Sequence, residues 1–342
     1  MNHFEQLDLR RRRAFCDSAS EALDLSPESI EKDFWICWTL RSLFALPNLG
    51  ANLTFKGGTS LSKGWKLIER FSEDVDVVID RHTLGLDSTC MPDAAGISAN
   101  ERVRRLEHLR LAAAGRIADG VLPALVGRIA DELVDGPLWQ VTLDPEDKDR
   151  QSVLLTYPSA FTGASYVRRV VKIEFGARSD IEPRRSVPIR SYLSEALGDR
   201  VFDPEFHVQA IEPVRTLWEK AMLLHELRQR EADRPLRGRL SRHYYDLACL
   251  VERGVGELAL ADPALFERIA AHRRVFFAYG KGVQDSLRLG SLQLLPPKGR
   301  LPEWRRDYDE MRDSMFFSEP PLFDRILEVV AAFELRANSC AG

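Results

Sequence analysis

Apolar positions recur along this chain in two rhythms, and the change from one to the other lays out the architecture. Residues 4–23 carry Leu7, Phe15, Ala19 and Leu23 at roughly helical spacing among many arginines. Ser26-Pro27-Glu28 is a good helix start, with a capping serine, proline at the first position and an acid in the first turn. The helix predicted over 27–45 places Ile30, Phe34, Trp38 and Ser42/Leu43 along one stripe. Lys32 and Asp33 lie beside that stripe and read most simply as a solvated face. A short strand ending at Lys56 runs into Gly57-Gly58, and Thr59 or Ser60 can cap a helix extending to about Glu69. The period then becomes two: Val75, Val77 and Ile79 point to a core while Asp74 and Asp76 share the other face.

Residues 81–100 have the composition of a loop, and two amphipathic helices are predicted over 101–119 and 122–133. Strands are predicted over 139–143, 152–157 and 166–176, with a charged turn at 144–150. A proline-flanked loop exposes Arg184 and Arg185. From Ile211 the pattern is helical, over 214–231, from Arg242 onward, and over 263–279, 301–315 and 322–335. Trp304, Tyr308 and Met311 repeat at near-helical spacing and read as core. The expected fold class is therefore α/β (α+β), with a mixed sheet in 1–205 and a helical domain in 206–342 that closes over a cleft.

Composition changes this picture little. A chain of 342 residues can bury two cores, and 48 basic against 52 acidic side chains leave no global field that announces a nucleic-acid partner. Basic character is local instead, concentrated at Arg228, Arg230, Arg234, Arg237, Arg239, Arg242 and His243. That strip reads either as a solvated loop or as guanidinium forks for a polynucleotide, with Tyr244 and Tyr245 to stack a base or to pack. Lys281 is a further cation that could reach a phosphate. Five cysteines without CxxC spacing point to reduced thiols and a cytoplasmic setting rather than a structural zinc. No run approaches the roughly 20 apolar residues of a membrane span.

The chemistry concentrates in two places. A glycine pair lets a backbone approach a phosphate closely, and a helix first turn points N–H groups at it. Asp74 and Asp76, side by side on a strand, repel each other unless a cation lies between them, and hard oxygen ligands suit Mg²⁺ carrying a nucleotide phosphate. On the strand predicted over 166–176, Lys172 and Glu174 share a face opposite Val171, Ile173 and Phe175. Glu174 is the candidate third carboxylate and Lys172 a candidate partner for triphosphate charge; the plainer alternative is an amphipathic strand with an exposed charge pair.

Phe55-Lys-Gly-Gly-Thr-Ser-Leu followed by Arg70-Phe-Ser-Glu-Asp-Val-Asp76 resembles the polymerase-β-like nucleotidyltransferase superfamily, and within it the AbiEii/AbiGii toxin family of type IV toxin–antitoxin systems. Glu31-Lys-Asp-Phe-Trp35, the Lys172-x-Glu174 strand, Glu219-Lys220 and Arg242-His-Tyr-Tyr-Asp246-Leu extend the resemblance across about 27–250. It implies that Gly57, Gly58, Thr59 and Ser60 cradle the phosphates, and that Asp74, Asp76 and Glu174 hold Mg²⁺ or Mn²⁺. It implies support of the nucleotide site by Lys32. In the helical domain it implies that Lys220 neutralises the triphosphate and Asp246 orients Lys220 or the nucleotide. Without the resemblance, Lys220 would be a surface lysine and Asp246 a partner for Arg242 or an exposed charge. The implied activity is transfer of NMP from an NTP to an RNA, the 3′ end of tRNA, by a toxin whose separately encoded antitoxin neutralises it without a stable complex. Nucleotidylation of a protein hydroxyl and a non-catalytic NTP- or GTP-binding regulator are the alternatives.

Overall fold

The computed structural model describes residues 3–133, 139–161, 168–198, 204–229, 236, 238–277, 285–316 and 319–339. The chain divides into two compact units, Met1–Gly64 with Ser72–Ala210, and Trp65–Phe71 with Ile211–Gly342.

The first unit opens with α1 (Leu9–Leu23), whose N-cap Asp8 accepts from the Arg11 N–H, and α2 (Pro27–Phe44), whose N-cap Ser26 accepts from Ser29. Every residue of α2 from Ile30 to Leu40 is buried. The solvated face expected at Lys32 and Asp33 therefore does not exist; both are enclosed because neighbouring segments supply their counter-charges. β1 (Leu53–Lys56) leads into a single helical turn, α3 (Gly57–Thr59), and a π-helical stretch, Ser60–Gly64. The predicted helix to Glu69 thus stops five residues early. At Gly64 a Cβ would stand 2.8 Å from Val187 Cγ2, and Lys66 takes a left-handed φ of 53°, so the chain turns out of the helix there.

β2 (Asp74–Ile79) follows, then α4 (Ala99–Arg116) and α5 (Leu122–Glu132), joined by π-helical Ile117–Val121 where two separate helices are predicted. β3 (Gln140–Leu143), β4 (Ser152–Thr156) and β5 (Val170–Gly176) lie within the predicted strands. β6 (Arg184–Ile189), α6 (Tyr192–Leu197) and β7 (Phe206–Ile211) complete the unit. The sheet is seven-stranded and mixed, in the order β3-β4-β5-β2-β1-β7-β6. β2 runs antiparallel to β1 and parallel to β5, and β1 runs parallel to β7.

β6 replaces the loop expected around Arg184 and Arg185. Pro188 lies inside it, which an edge strand tolerates because one of its sides has no ladder to complete, and β6 is the last strand of the sheet. β7 carries a period-two signal, with His207 and Gln209 exposed against buried Val208 and Ala210, that the reading of a helical domain from residue 206 passes over.

The second unit holds α7 (Pro213–Arg228), α8 (Arg242–Glu252), α9 (Val255–Leu260), α10 (Pro263–Phe276), α11 (Leu301–Met315) and α12 (Phe323–Ser339). Trp218 is enclosed edge-on by Phe266 at 4.9 Å and tilted against Phe333 at 5.6 Å. Trp304, Tyr308 and Met311 are buried as their spacing predicts. Trp65–Phe71 joins this unit through Trp65 Nε1, which donates to the Ile211 carbonyl at 3.0 Å, and through the Phe71 N–H, which donates to the Met315 carbonyl at 2.6 Å. No described helix is long and apolar enough to cross a membrane.

Candidate active site

Strand register settles how the acidic residues of the first unit relate. Asp74 pairs with Lys172 and Asp76 with Glu174 across the parallel β2–β5 ladder, and Lys56 pairs with Asp76 across the antiparallel β1–β2 ladder. Strand neighbours are separated by about 4.8 Å, so Asp74, Asp76, Lys172 and Glu174 occupy one corner of one sheet face. Burial follows the period: Val75, Val77, Val171 and Ile173 are fully buried while the four charged residues are half-buried.

The Gly57 turn abuts this corner. Gly57 has φ +78°, and a Cβ there would lie 2.0 Å from Asp76 Oδ2. Glycine is needed twice over, for the left-handed backbone and for the close approach of the carboxylate. Gly57→Ala is expected to cost about 1–3 kcal/mol of stability from backbone strain and to lower transfer by displacing Asp76. Urea unfolding and an initial-rate assay on the same preparation check this; wild-type values in both would contradict the close approach.

Thr59 and Ser60 are placed differently from their expected role. Both are fully buried. The Thr59 hydroxyl donates to the Asp74 carbonyl and lies 2.9 Å from the Ser72 hydroxyl, and Ser60 Oγ donates to the Gly57 carbonyl at 2.9 Å. Their hydroxyls shape the loop and tie it to the start of β2, which leaves the half-buried backbone of Gly57 and Gly58 as the part that can meet a ligand.

Lys32 also acts from behind. Its ammonium donates to the Arg168 carbonyl at 3.0 Å and to the Val170 carbonyl, and stands 3.6 Å from Glu73 Oε2. Burial lowers its pKa, against the pull of Glu73 and Asp74. It braces the start of β5 and the entry to β2, and at 1% exposure it is enclosed in the protein interior. Asp33 pairs with Lys63 at 2.8 Å and accepts from the Tyr192 N–H at 2.7 Å, while the Lys63 ammonium lies 3.7 Å from the Tyr192 ring centre. This buried pair fixes the π-helical stretch that follows the glycine turn. Lys63 carries no recognisable string in the sequence, and its isolated position in a polar run conceals it.

Glu174 Oε1 lies 3.0 Å from Lys172 Nζ, and the same ammonium is 3.2 Å from Asp144 Oδ2. Burial lowers the Lys172 pKa, but Glu174 and Asp144 outweigh it and the net shift is upward. Lys172 is thus already matched by two carboxylates. Among the described residues no three Asp, Glu, His or Cys side chains are gathered as a metal centre. The donors still fit a hard divalent cation in type: Asp74, Asp76 and Glu174 are carboxylates in register on adjacent strands, and Gly57, without a side chain, lets the Asp76 carboxylate lie against the turn.

In the second unit, Asp246 is fully buried. Arg70 grips it with Nε at 2.7 Å and Nη2 at 2.8 Å, and Lys220 Nζ reaches the same Oδ2 at 2.7 Å. Burial pushes the carboxyl pKa up, but Arg70 and Lys220 overcome this and hold it well below the usual carboxylate range. The group carries two cations to one anion. Arg70, the first residue of the second string, is the member to which sequence reasoning gives no role.

The arginine strip is only partly in view. Arg230, Arg234 and Arg237 lie outside the described residues, as does Lys281. Arg228 is committed to Gln293 and the Leu295 carbonyl. His243 adds no charge, since burial and then Lys220 and Arg242 hold its pKa well below the ordinary value. Tyr244 donates to the Leu294 carbonyl at 2.8 Å and packs edge-on against Trp304, and Tyr245 packs against Phe316. Both rings are core residues, so the stacking role for them is set aside.

A sequence model of the family described as nucleotidyl transferase AbiEii toxin, type IV TA system, matches residues 38–329. No curated protein matches the chain significantly. Among solved structures the chain is similar to MenT4, nucleotidyltransferase toxin Rv2826c from Mycobacterium tuberculosis H37Rv, at 16% identity and a TM-score of 0.43, over 98% of this chain and 94% of that one. The family match spans most of the chain and includes the glycine turn, both aspartates, the Lys172–Glu174 strand and the Arg70–Lys220–Asp246 group, and the chain belongs to the AbiEii family of nucleotidyltransferase toxins of type IV toxin–antitoxin systems.

Proposed function

We propose that the protein transfers NMP from an NTP to an RNA acceptor, the 3′ end of a tRNA, at the corner formed by Gly57, Asp74, Asp76 and Glu174. One observation carries this reading: the Asp76 carboxylate lies against the Gly57 backbone and in register with Glu174. Asp74, Asp76 and Glu174 would hold Mg²⁺ or Mn²⁺. When bound, the metal would neutralise triphosphate charge and polarise the α-phosphorus for in-line attack by the acceptor hydroxyl.

The chain's own groups do the positioning. The Gly57–Gly58 backbone would meet the phosphates, since glycine carries no side chain of its own to hold a ligand away. Thr59, Ser60 and the Lys63–Asp33 pair keep that loop in shape. In the second unit, Asp246 with Arg70 fixes the direction of the Lys220 ammonium, the cation that the family resemblance assigns to triphosphate charge. Pyrophosphate is the leaving group. An NTP, an acceptor and an antitoxin acting without a stable complex are the partners this reading calls for, in the cytoplasm, where nucleotides and tRNA occur.

The arginine-dense connector favours RNA over a protein acceptor, because guanidinium groups match phosphates bidentately. A binding regulator could dispense with the carboxylate corner, which this chain retains intact.

The test incubates purified protein and Mg²⁺ with each α-labelled NTP in turn and total RNA, then separates the products on a gel. Label in a tRNA-sized band is expected, with one nucleotide preferred. Label on protein would favour the protein-modifying alternative, and NTP binding with no labelled product would favour the regulator.

A further inference from the structure

The two carboxylates that share Lys172 are held very differently. Asp144 closes β3, and its Oδ1 accepts from the Glu146 N–H at 2.9 Å while its own N–H donates to the Ser152 carbonyl at 2.9 Å. Only its Oδ2 faces Lys172, and its side chain is 9% exposed. The Glu174 side chain is 43% exposed and, among the described residues, Lys172 is its ion-pair partner. One ammonium therefore bridges a buried, pinned carboxylate and an exposed one. Glu174 is also the register neighbour of Asp76.

We propose that Asp144 is a resting place for Lys172: when a divalent cation enters the corner of Asp74, Asp76 and Glu174, the ammonium releases Glu174 and stays on Asp144. This rests on the metal-dependent reading above. No covalent step is involved; one ion pair is exchanged for a metal–carboxylate contact.

The physical argument is a competition. A metal cation and an ammonium on the same carboxylate repel each other, so cation entry must displace Lys172. A lysine that loses its only counter-ion resists displacement. One that keeps a second, pinned partner 3.2 Å away gives way with a small rotation of its flexible stem. Asp144 is a positioning residue in this account, acting on the metal corner through Lys172.

The test is binding of Mn²⁺ to the full chain without nucleotide, followed by the electron paramagnetic resonance of the free ion at low salt, where exposed charge pairs are least screened. Lys172→Met is expected to tighten Mn²⁺ about two- to fivefold, the worth of an exposed ion pair, and Asp144→Asn to weaken it by a similar factor. The combined variant Asp144→Asn/Lys172→Met should bind like Lys172→Met alone. That suppression separates the proposal from a general loss of negative charge or a structural role, either of which would persist in the combined variant. Wild-type affinity in Asp144→Asn, or a weakening that Lys172→Met does not suppress, would overturn it. If Asp144→Asn does not fold, Lys172→Met still decides: unchanged or weaker binding contradicts the competition. Asp76→Asn is the control for the underlying reading. Wild-type Mn²⁺ affinity in that variant, or no binding by the wild type, would overturn the metal corner itself and this proposal with it.

Discussion

Asp76→Asn is expected to lower the rate of nucleotidyl transfer by roughly a thousandfold, the equivalent of about 4 kcal/mol of transition-state stabilisation, while leaving the fold in place. The two halves of that prediction have separate causes. Asp76 is half-buried, on the outward face of β2, and the backbone ladders on both sides of it are unaffected by an isosteric amide. Substitutions of this kind away from core and caps stay within about 0.5 kcal/mol of stability. The rate loss follows from position, since this carboxylate lies against Gly57 and beside Glu174, where the proposed metal would draw on its negative charge. Urea denaturation and single-turnover kinetics measured together check both halves. Full activity would remove the metal assignment, and a collapse in stability would show Asp76 to be structural.

The second large effect concerns Asp246. Asp246→Ala is expected to destabilise the protein by about 3–5 kcal/mol, the cost of leaving buried cations without their anion. Arg70 and Lys220 would both be stranded, and against a typical total of 5–15 kcal/mol that loss is severe. The group's pH dependence has a definite sign. The Asp246 pKa is lowered in the folded state, so its stabilisation is complete above the unfolded carboxyl pKa of about 3.9 and is lost as pH falls toward the lower folded value. Lys220→Met behaves differently. Asp246 keeps both Arg70 contacts, so the expected loss of stability is well below that of Asp246→Ala, while the role proposed for Lys220 predicts that transfer falls. Chemical denaturation of the two variants decides this. Equal destabilisation would mean that Lys220 is there for the fold alone.

The contrast between these residues shows what a sequence displays and what it hides. Asp74, Asp76, Lys172 and Glu174 are legible because a strand's period of two puts them on one face whatever the tertiary fold. Which strands lie side by side is not local information; the parallel register of Asp76 with Glu174 appears only when the chain has crossed the 90 residues between β2 and β5. Lys32 and Asp33 mislead for the opposite reason. Charge in a helix usually signals solvent, and only the tertiary arrangement shows that each is enclosed with a counter-charge. Thr59 and Ser60 sit in a string that suggests phosphate contacts, yet short side chains next to a tight turn bond to its backbone first, and these do. Tyr244 and Tyr245 look available for stacking until α8 packs them against Trp304 and Phe316. β6 is masked by Pro188, which strand propensity penalises and an edge permits. The longer helices from Pro213 onward are legible because their opening prolines and apolar stripes are local, whereas the short α9 is not read as a helix of its own.

Transfer of a nucleotidyl group, rather than a phosphoryl group, is the reaction proposed for the Asp74–Asp76 corner. The direct measurement places the label first on the α-phosphate and then on the γ-phosphate of the preferred NTP, with RNA and Mg²⁺, for the wild type and for Asp74→Ala/Asp76→Ala. The account predicts label on the RNA from the α-position only, pyrophosphate released in equal amount, and neither in the double variant. Label transferred from the γ-position, or transfer that survives in the double variant, would contradict it.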